Sequence, residues 1–235
     1  MEERSLIILP TYNERDNLRA MACRIHEVFP ETHLLVVDDG SPDGTGEVAD
    51  DLAQKDKRIH AIHRPCKMGL GTAYIEGFRR GLKDGYDLLW EMDTDFSHDP
   101  RYLPDMLAAI NDGADLAIGS RYVPGGGTEN WGVGRKVLSR GGGIYARIVL
   151  GIPVQDLTSG FRCYRKEVLE TLDLDSVKSE GYSFQIEMAY KTCKAGFRVE
   201  EVPIVFVDRR VGESKMSGNI IWEAIWRVWR LRLGR

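Results

Sequence analysis

The segment Leu88-Leu89-Trp90-Glu91-Met92-Asp93-Thr94-Asp95 is an apolar run that closes on two carboxylates one residue apart. The run reads as a buried strand over Leu88–Met92, with the aspartates at its exit. Residues i and i+2 of an extended backbone project to the same side, so Asp93 and Asp95 converge on one target. Two like charges that close repel, and a cation between them removes the cost. Oxygen donors suit a hard cation, Mg²⁺ or Mn²⁺, which also bridges to phosphate. A solvated loop accommodates the same pair of aspartates, so the pattern gains weight only from its surroundings.

Two earlier segments repeat it. Leu6-Ile7-Ile8-Leu9 leads into Pro10-Thr11-Tyr12-Asn13-Glu14, and Leu34-Leu35-Val36-Val37 leads into Asp38-Asp39-Gly40-Ser41. Leu18, Met21, Ala22, Ile25 and Val28 recur at helical spacing between them. Further helices are expected over Gly44–Gln54, Thr72–Arg80 and Tyr102–Ile110, and further strands over Ile59–Ile62 and Leu116–Ile118. Such alternation predicts an α/β fold, a mostly parallel central sheet flanked by helices on both faces. Ligands of such sheets sit at the carboxyl ends of the strands, which is where all three polar segments fall.

The second half is less regular. Gly125-Gly126-Gly127 reads as a flexible loop. A basic helix is expected over Arg135–Leu150, with Gly141-Gly142-Gly143 marking close packing or a kink. Val199–Val207 reads as one late strand and Asn219–Leu233 as a separate amphipathic helix.

A chain of 235 residues can bury a sizeable core. A net charge of -4 argues against nucleic acid as a partner. Met1 leads almost directly into the first strand, so no signal peptide is expected, and no stretch has the length of a transmembrane helix. Cys23, Cys66, Cys163 and Cys193 are dispersed without metal spacing and read as reduced thiols. A dinucleotide-binding dehydrogenase is disfavoured, because no Gly-x-Gly-x-x-Gly follows the first strand.

Individual residues suggest roles. Pro10 is expected to stop the first strand, Tyr12 offers an aromatic face and Glu14 an acceptor for ring N–H groups, which together suit a nucleotide base. A turn with Asn13 or Asp16 capping the next helix is the plainer alternative. Asp39 suits a ribose hydroxyl or a base. The segment Gly40-Ser41-Pro42-Asp43-Gly44 forms a tight turn under either reading.

These segments together resemble the family 2 glycosyltransferases, which share the nucleotide-sugar-binding fold called GT-A. The resemblance narrows to the dolichol-phosphate mannose synthases through five further stretches. They are Asp38–Thr45, Met92–Pro100, Gly119–Tyr122, Leu157–Phe161 and Asp208–Lys215. The match runs in order from residue 7 to about residue 216. It implies a GT-A domain over 1–217 and an amphipathic membrane-surface helix over 218–235.

The implied reaction moves mannose from GDP-mannose to a dolichyl or polyprenyl phosphate with inversion, with Mg²⁺ or Mn²⁺ as cofactor. Asp95, helped by Asp93, would hold the metal. Pro10, Tyr12, Glu14, Val37, Asp39, Asp93, Thr94, Asp95, Arg209 and Lys215 would bind the donor. Arg121, Arg135 and Ser139 would bind the acceptor phosphate. Arg121 and Arg209 join the two aspartates as the catalytic set. Arginine suits phosphate because its planar fork donates two parallel hydrogen bonds. His98 reads as a turn residue rather than a base, and Gln185 and Glu187 face either the acceptor groove or a packed helix.

Two departures stand out. Many relatives carry Ala where this chain has Thr94, and some use Gln near the metal where it has Ser97. At the C-terminus, Trp222, Ile225, Trp226, Trp229 and Leu233 share one helical face, with Arg227, Arg230, Arg232 and Arg235 beside it. That combination fits a helix lying among lipid headgroups. The expected place is therefore peripheral, on the cytoplasmic face of a membrane, and a membrane-embedded partner subunit is left open. Rival readings are a UDP-glucose or UDP-GlcNAc donor on the same lipid class, and a non-catalytic nucleotide-sugar-binding homologue.

Overall fold

The computed structural model describes residues 3–177, 179, 181–208, 226 and 228–233. Its first half delivers the alternation: β1 (Ser5–Thr11), α1 (Arg15–Val28), β2 (His33–Asp38), α2 (Thr45–Lys55), β3 (Ile59–His63), α3 (Leu70–Lys83), β4 (Leu88–Glu91), α4 (Leu103–Asn111) and β5 (Leu116–Ser120). Then follow β6 (Gly127–Glu129), α5 (Val133–Leu150), β7 (Arg162–Arg165), α6 (Lys166–Thr171), α7 (Tyr182–Lys194), β8 (Val199–Pro203) and β9 (Val205–Val207).

The main sheet has the order β3-β2-β1-β4-β7-β5-β8. All its pairings are parallel except those of β7, which runs antiparallel between β4 and β5. Alternate residues of each strand feed opposite layers of core, as a sheet covered on both faces requires. Leu6, Ile8, Leu35, Val37 and Leu89 join α3 and α7 on one face. Ile7, Leu9, Leu34, Val36, Leu88 and Trp90 join α1 and α4 on the other. Helix α3 lies unusually close to the sheet. A Cβ on Gly77 would fall 2.6 Å from Ile8 Cγ2, and one on Gly81 2.4 Å from Leu89 Cδ2.

Four sequence expectations change. First, β1 does not stop at Pro10, because its pairing with β2 continues through Pro10 and Thr11. The β4 pairing ends at Ile8, so the missing proline N–H costs no ladder bond there. Second, neither Asn13 nor Asp16 caps α1. The Ser41–Thr45 loop does so from outside: Asn13 N–H donates to Ser41 Oγ (3.0 Å), Glu14 N–H to Thr45 Oγ1 (3.0 Å) and Arg15 N–H to Asp43 Oδ2 (3.2 Å).

Third, the expected single strand over Val199–Val207 is two. β8 pairs with β5, and β9 leaves the main sheet to pair with β6. Fourth, close packing does not explain Gly141 and Gly142 of α5, although Gly143 is buried against Gln155 O. A Cβ on Gly141 or Gly142 would meet nothing within 4 Å, and the helix runs unbroken through them.

Candidate active site

The carboxyl ends of β1, β2 and β4 form one edge, braced by Asp38. Thr11 Oγ1 and Ser41 Oγ donate to Asp38 Oδ1 (3.1 and 2.5 Å), and Ser41 N–H donates to Oδ2 (3.0 Å). Beside this brace opens a cleft of about 260 Å³. Pro10, Tyr12, Glu14, Asp39, Asp93, Thr94 and Asp95 all line it, and so does Lys67. Seven of the residues expected to bind the donor thus meet in one place. Val37 is fully buried beneath, in the core of β2.

Asp39 is held more tightly than its expected ligand role suggests. Arg64 Nη1 donates to its Oδ1 (2.5 Å), and the N–H groups of Met68 and Gly69 donate to Oδ2 (3.2 and 3.1 Å). Both charges are buried, so each compensates the other. Across the cleft mouth, the Lys67 ammonium lies 3.9 Å from the centre of the Tyr12 ring. Sequence reading missed Arg64 and Lys67, whose segment Arg64–Gly69 carries no periodic pattern.

The loop after β4 is locally constrained. Phe96 takes φ +62°, a left-handed conformation that a bulky side chain rarely adopts. Ser97 N–H donates to Asp95 Oδ1 (3.0 Å), which closes the turn. Thr94, expected on the donor, gives its hydroxyl to Pro10 O (3.4 Å) and so ties the loop to β1. Asp93 is fixed twice: its N–H donates to His98 Nδ1 (3.1 Å), and Tyr74 OH donates to its Oδ1 (3.3 Å).

His98 is therefore a structural acceptor, in line with its sequence reading. Burial lowers its pKa against the pull of Asp93 and Asp95, and its ring stacks on Phe161. The half-buried Asp93 and Asp95 suit a hard divalent cation. Ser97 Oγ, two residues from Asp95, is buried with no hydrogen-bond partner. Among the described residues no group of three or more His, Cys, Asp or Glu could hold a metal. Two half-buried carboxylates lining the cleft suit a Mg²⁺ or Mn²⁺ that shares its shell with phosphate.

A buried charge network lies beneath the loop. Gln185 Nε2 donates to Glu91 Oε2 (2.6 Å). Arg162, fully buried, donates to the carbonyls of Ser159 (2.8 Å), Leu157 (3.0 Å) and Gln185 (2.9 Å) and to Tyr164 OH (3.2 Å). Gln185 and Glu187 thus belong to helix packing rather than to an open groove; Lys191 pairs with Glu187 at 2.8 Å.

Burial pushes the Glu91 carboxyl up to about 7, although Arg162 and Gln185 favour its charge. A raised folded pKa means stability that is full below the unfolded value and is lost as pH rises through 7. The melting temperature of Glu91→Gln is therefore expected to fall less than that of the wild type between pH 5 and 8. The difference amounts to a loss on the order of 3 kcal/mol in the wild type. Parallel pH profiles of the two proteins would contradict this.

The residues expected at the acceptor phosphate lie just after β5 and on α5. Arg121, expected on the acceptor phosphate, is buried, with Nε and Nη2 on the two oxygens of Asp156 (2.7 and 2.6 Å) and a further bond to Thr158 Oγ1 (2.7 Å). Arg135 Nη1 reaches Asp208 (2.8 Å) and stacks 4.0 Å above Trp131. Ser139 Oγ accepts from Tyr122 OH (2.7 Å).

These residues form one cluster, because Trp131 and Phe206 both lie within 5.4 Å of the Arg121 guanidinium and contact each other edge-on. Phe206 also meets His98, so the cluster touches the Asp93 support. Asp156 and Trp131 were missed; only a buried cation in need of a partner could have pointed to Asp156. Arg209, Lys215, Trp222 and Ile225 lie outside the described residues. At the C-terminus, Trp226, Trp229 and Leu233 are exposed, whereas Val228 is buried.

Comparison with known proteins places this geometry in context. The sequence profile described as Glycosyl transferase family 2 matches residues 6–173. The chain is 53% identical, over 98% of its length and 88% of the other's, to the polyprenol monophosphomannose synthase of Mycolicibacterium smegmatis. It is 52% identical, over 97% of its length and 93% of the other's, to the undecaprenyl-phosphate mannosyltransferase of Micrococcus luteus. A mannosyltransferase from Pyrobaculum calidifontis, solved with GDP-Man and Mn²⁺, shares the fold at TM-score 0.62 and 15% identity. That match covers 98% of this chain and 70% of the other.

Proposed function

The chain belongs to glycosyl transferase family 2, and on that basis we propose that it transfers mannose from GDP-mannose to a polyprenyl phosphate, with inversion, releasing GDP. The observation that carries the reading is the single cleft in which Tyr12, Glu14, Asp39, Asp93 and Asp95 converge. Both relatives named above, alike over nearly the whole chain, are mannosyl-transferring proteins whose names specify polyprenol-type lipids.

Tyr12 offers a face to the base, and Glu14 an acceptor to its ring N–H groups. Asp93 and Asp95 would hold a divalent ion, Mg²⁺ or Mn²⁺, which supplies positive charge to the leaving diphosphate. The acceptor phosphate is already an anion near neutral pH, so it needs positioning more than a strong general base. His98 is buried and already accepts a backbone N–H, so it is unsuited to that task. Arg135 and Ser139 would meet the acceptor phosphate, and Arg121, locked to Asp156, would shape that pocket and contribute its charge.

Arg209 and Lys215 would close on the donor phosphates. The exposed Trp226 and Trp229 support a C-terminal helix held at the membrane surface. Among the described residues no helix is long and apolar enough to cross a membrane. The test is transfer of radiolabelled sugar to a short polyprenyl phosphate in detergent with Mg²⁺ or Mn²⁺, from GDP-mannose, UDP-glucose or UDP-GlcNAc. Labelling from GDP-mannose is expected to exceed that from either UDP-sugar at least about 100-fold, the scale of one buried hydrogen-bonding group left unpaired by the wrong base. Transfer from a UDP-sugar instead would assign a different donor.

A further inference from the structure

Arg135 stands at the third position of α5, where the dipole of the helix disfavours a cation. Lys136 follows it, and the first turn contains no acid. Compensation comes from outside the helix. The centre of the Trp131 ring lies 4.0 Å from the guanidinium carbon. Both oxygens of Asp208 accept from Arg135 Nη1, at 2.9 and 2.8 Å. With side chains 23% and 30% exposed, this pair is partly withdrawn from solvent and is fixed by the ring.

Both partners are delivered by one ribbon. β6 ends at Glu129 and leads into Trp131, and β9 ends at Val207, next to Asp208. The ladder between the two strands runs one residue further, through Asp208 N–H to Glu129 O (3.3 Å). The backbone of Asp208 is thus tied to the segment that carries Trp131.

The two arginines expected at the acceptor phosphate are paired differently. Arg121 has Nε and Nη2, the flat edge of its fork, on Asp156. Arg135 meets Asp208 through Nη1 alone, so the same edge takes no part in that pair. The Nε–Nη2 edge is the one that can donate in parallel to two phosphate oxygens. Ser139, four residues on and therefore on the same face of α5, lies beside it with Tyr122 OH on its hydroxyl.

We propose that Asp208 is a positioning residue for the acceptor. With Trp131 it fixes the Arg135 guanidinium so that the Nε–Nη2 edge is presented to an incoming phosphate monoester. Asp208 touches neither substrate. It removes in advance the rotamer freedom that a long side chain would otherwise lose on binding. The inference rests on the assignment of Arg135 to the acceptor phosphate. A carboxylate that merely filled the place of the phosphate would have the opposite effect, since its removal would strengthen acceptor binding.

The experiment is steady-state kinetics of the full chain with a short polyprenyl phosphate and the sugar nucleotide that supports transfer. D208A is expected to raise KM for the polyprenyl phosphate about 10-fold or more, the scale of one charge-assisted hydrogen bond, and to leave KM for the sugar nucleotide within about 2-fold. D208N, which keeps an acceptor for Nη1, is expected to recover most of the loss. R135M should raise the same acceptor KM, and R135M/D208A should be no worse than R135M, because Asp208 acts through Arg135. An unchanged or lower acceptor KM in D208A overturns the proposal. So do additive losses in R135M/D208A, or equal changes for the two substrates. An acceptor KM unchanged by R135M itself would instead remove Arg135 from the phosphate, and the positioning role with it.

Discussion

Asp95→Ala is expected to lower kcat/KM for mannosyl transfer by about 10³-fold or more, corresponding to about 4 kcal/mol of lost transition-state stabilisation. The argument is electrostatic. As the donor breaks, charge develops on a diphosphate, and the proposed role of Asp95 is to hold the cation that meets it. The second carboxylate, Asp93, is already oriented by Tyr74 and His98 and cannot take over from another position. Folding should be little affected, because Asp95 lies half-buried at the cleft, outside both layers of the core. The effect must therefore appear in a Mg²⁺ or Mn²⁺ titration of turnover, at constant melting temperature. Near-wild-type turnover would remove Asp95 from the chemistry.

Asp156→Ala acts through stability. Burial alone raises the Asp156 carboxyl, but Arg121, bonded through its side chain and its backbone N–H, holds it below the usual carboxylate range. Removing the carboxylate leaves the Arg121 guanidinium buried with Thr158 Oγ1 in place of its anion. The expected loss is about 3–5 kcal/mol, a fall in melting temperature of roughly 10 °C for a chain of this size.

The double variant R121M/D156L, which removes both charges, should recover much of that loss. Asp156→Ala within about 1 kcal/mol of the wild type would show that the pair is dispensable to the fold. Because Trp131 and Phe206 surround the same guanidinium, the single variant should also impair use of the lipid acceptor more than binding of GDP.

The parts of the fold that could be read in advance are those in which successive side chains are buried in a regular rhythm. Leu6–Leu9, Leu34–Val37 and Leu88–Trp90 announce strands because a sheet covered on both faces admits only apolar residues there. The polar residues that end each run announce the cleft. β7 escaped notice because its four residues, Arg162–Arg165, include two arginines. One of these, Arg162, is wholly buried on four acceptors drawn from three separate segments. No local pattern encodes such a residue. The splitting of Val199–Val207 had the same origin: nothing in the stretch itself divides it, and only β5 and β6 decide which sheet takes which piece.

The amino-acid sequence by itself determined the α/β class, the edge at which the site lies and the carboxylates that line it, because burial period and strand-end polarity are local properties. The tertiary structure alone decided which counter-charge holds each buried ion beside the site. Arg121 is locked to Asp156 and Asp39 to Arg64. A buried ion must find its counter-charge wherever the chain brings one, and those partners lie 35 and 25 residues away.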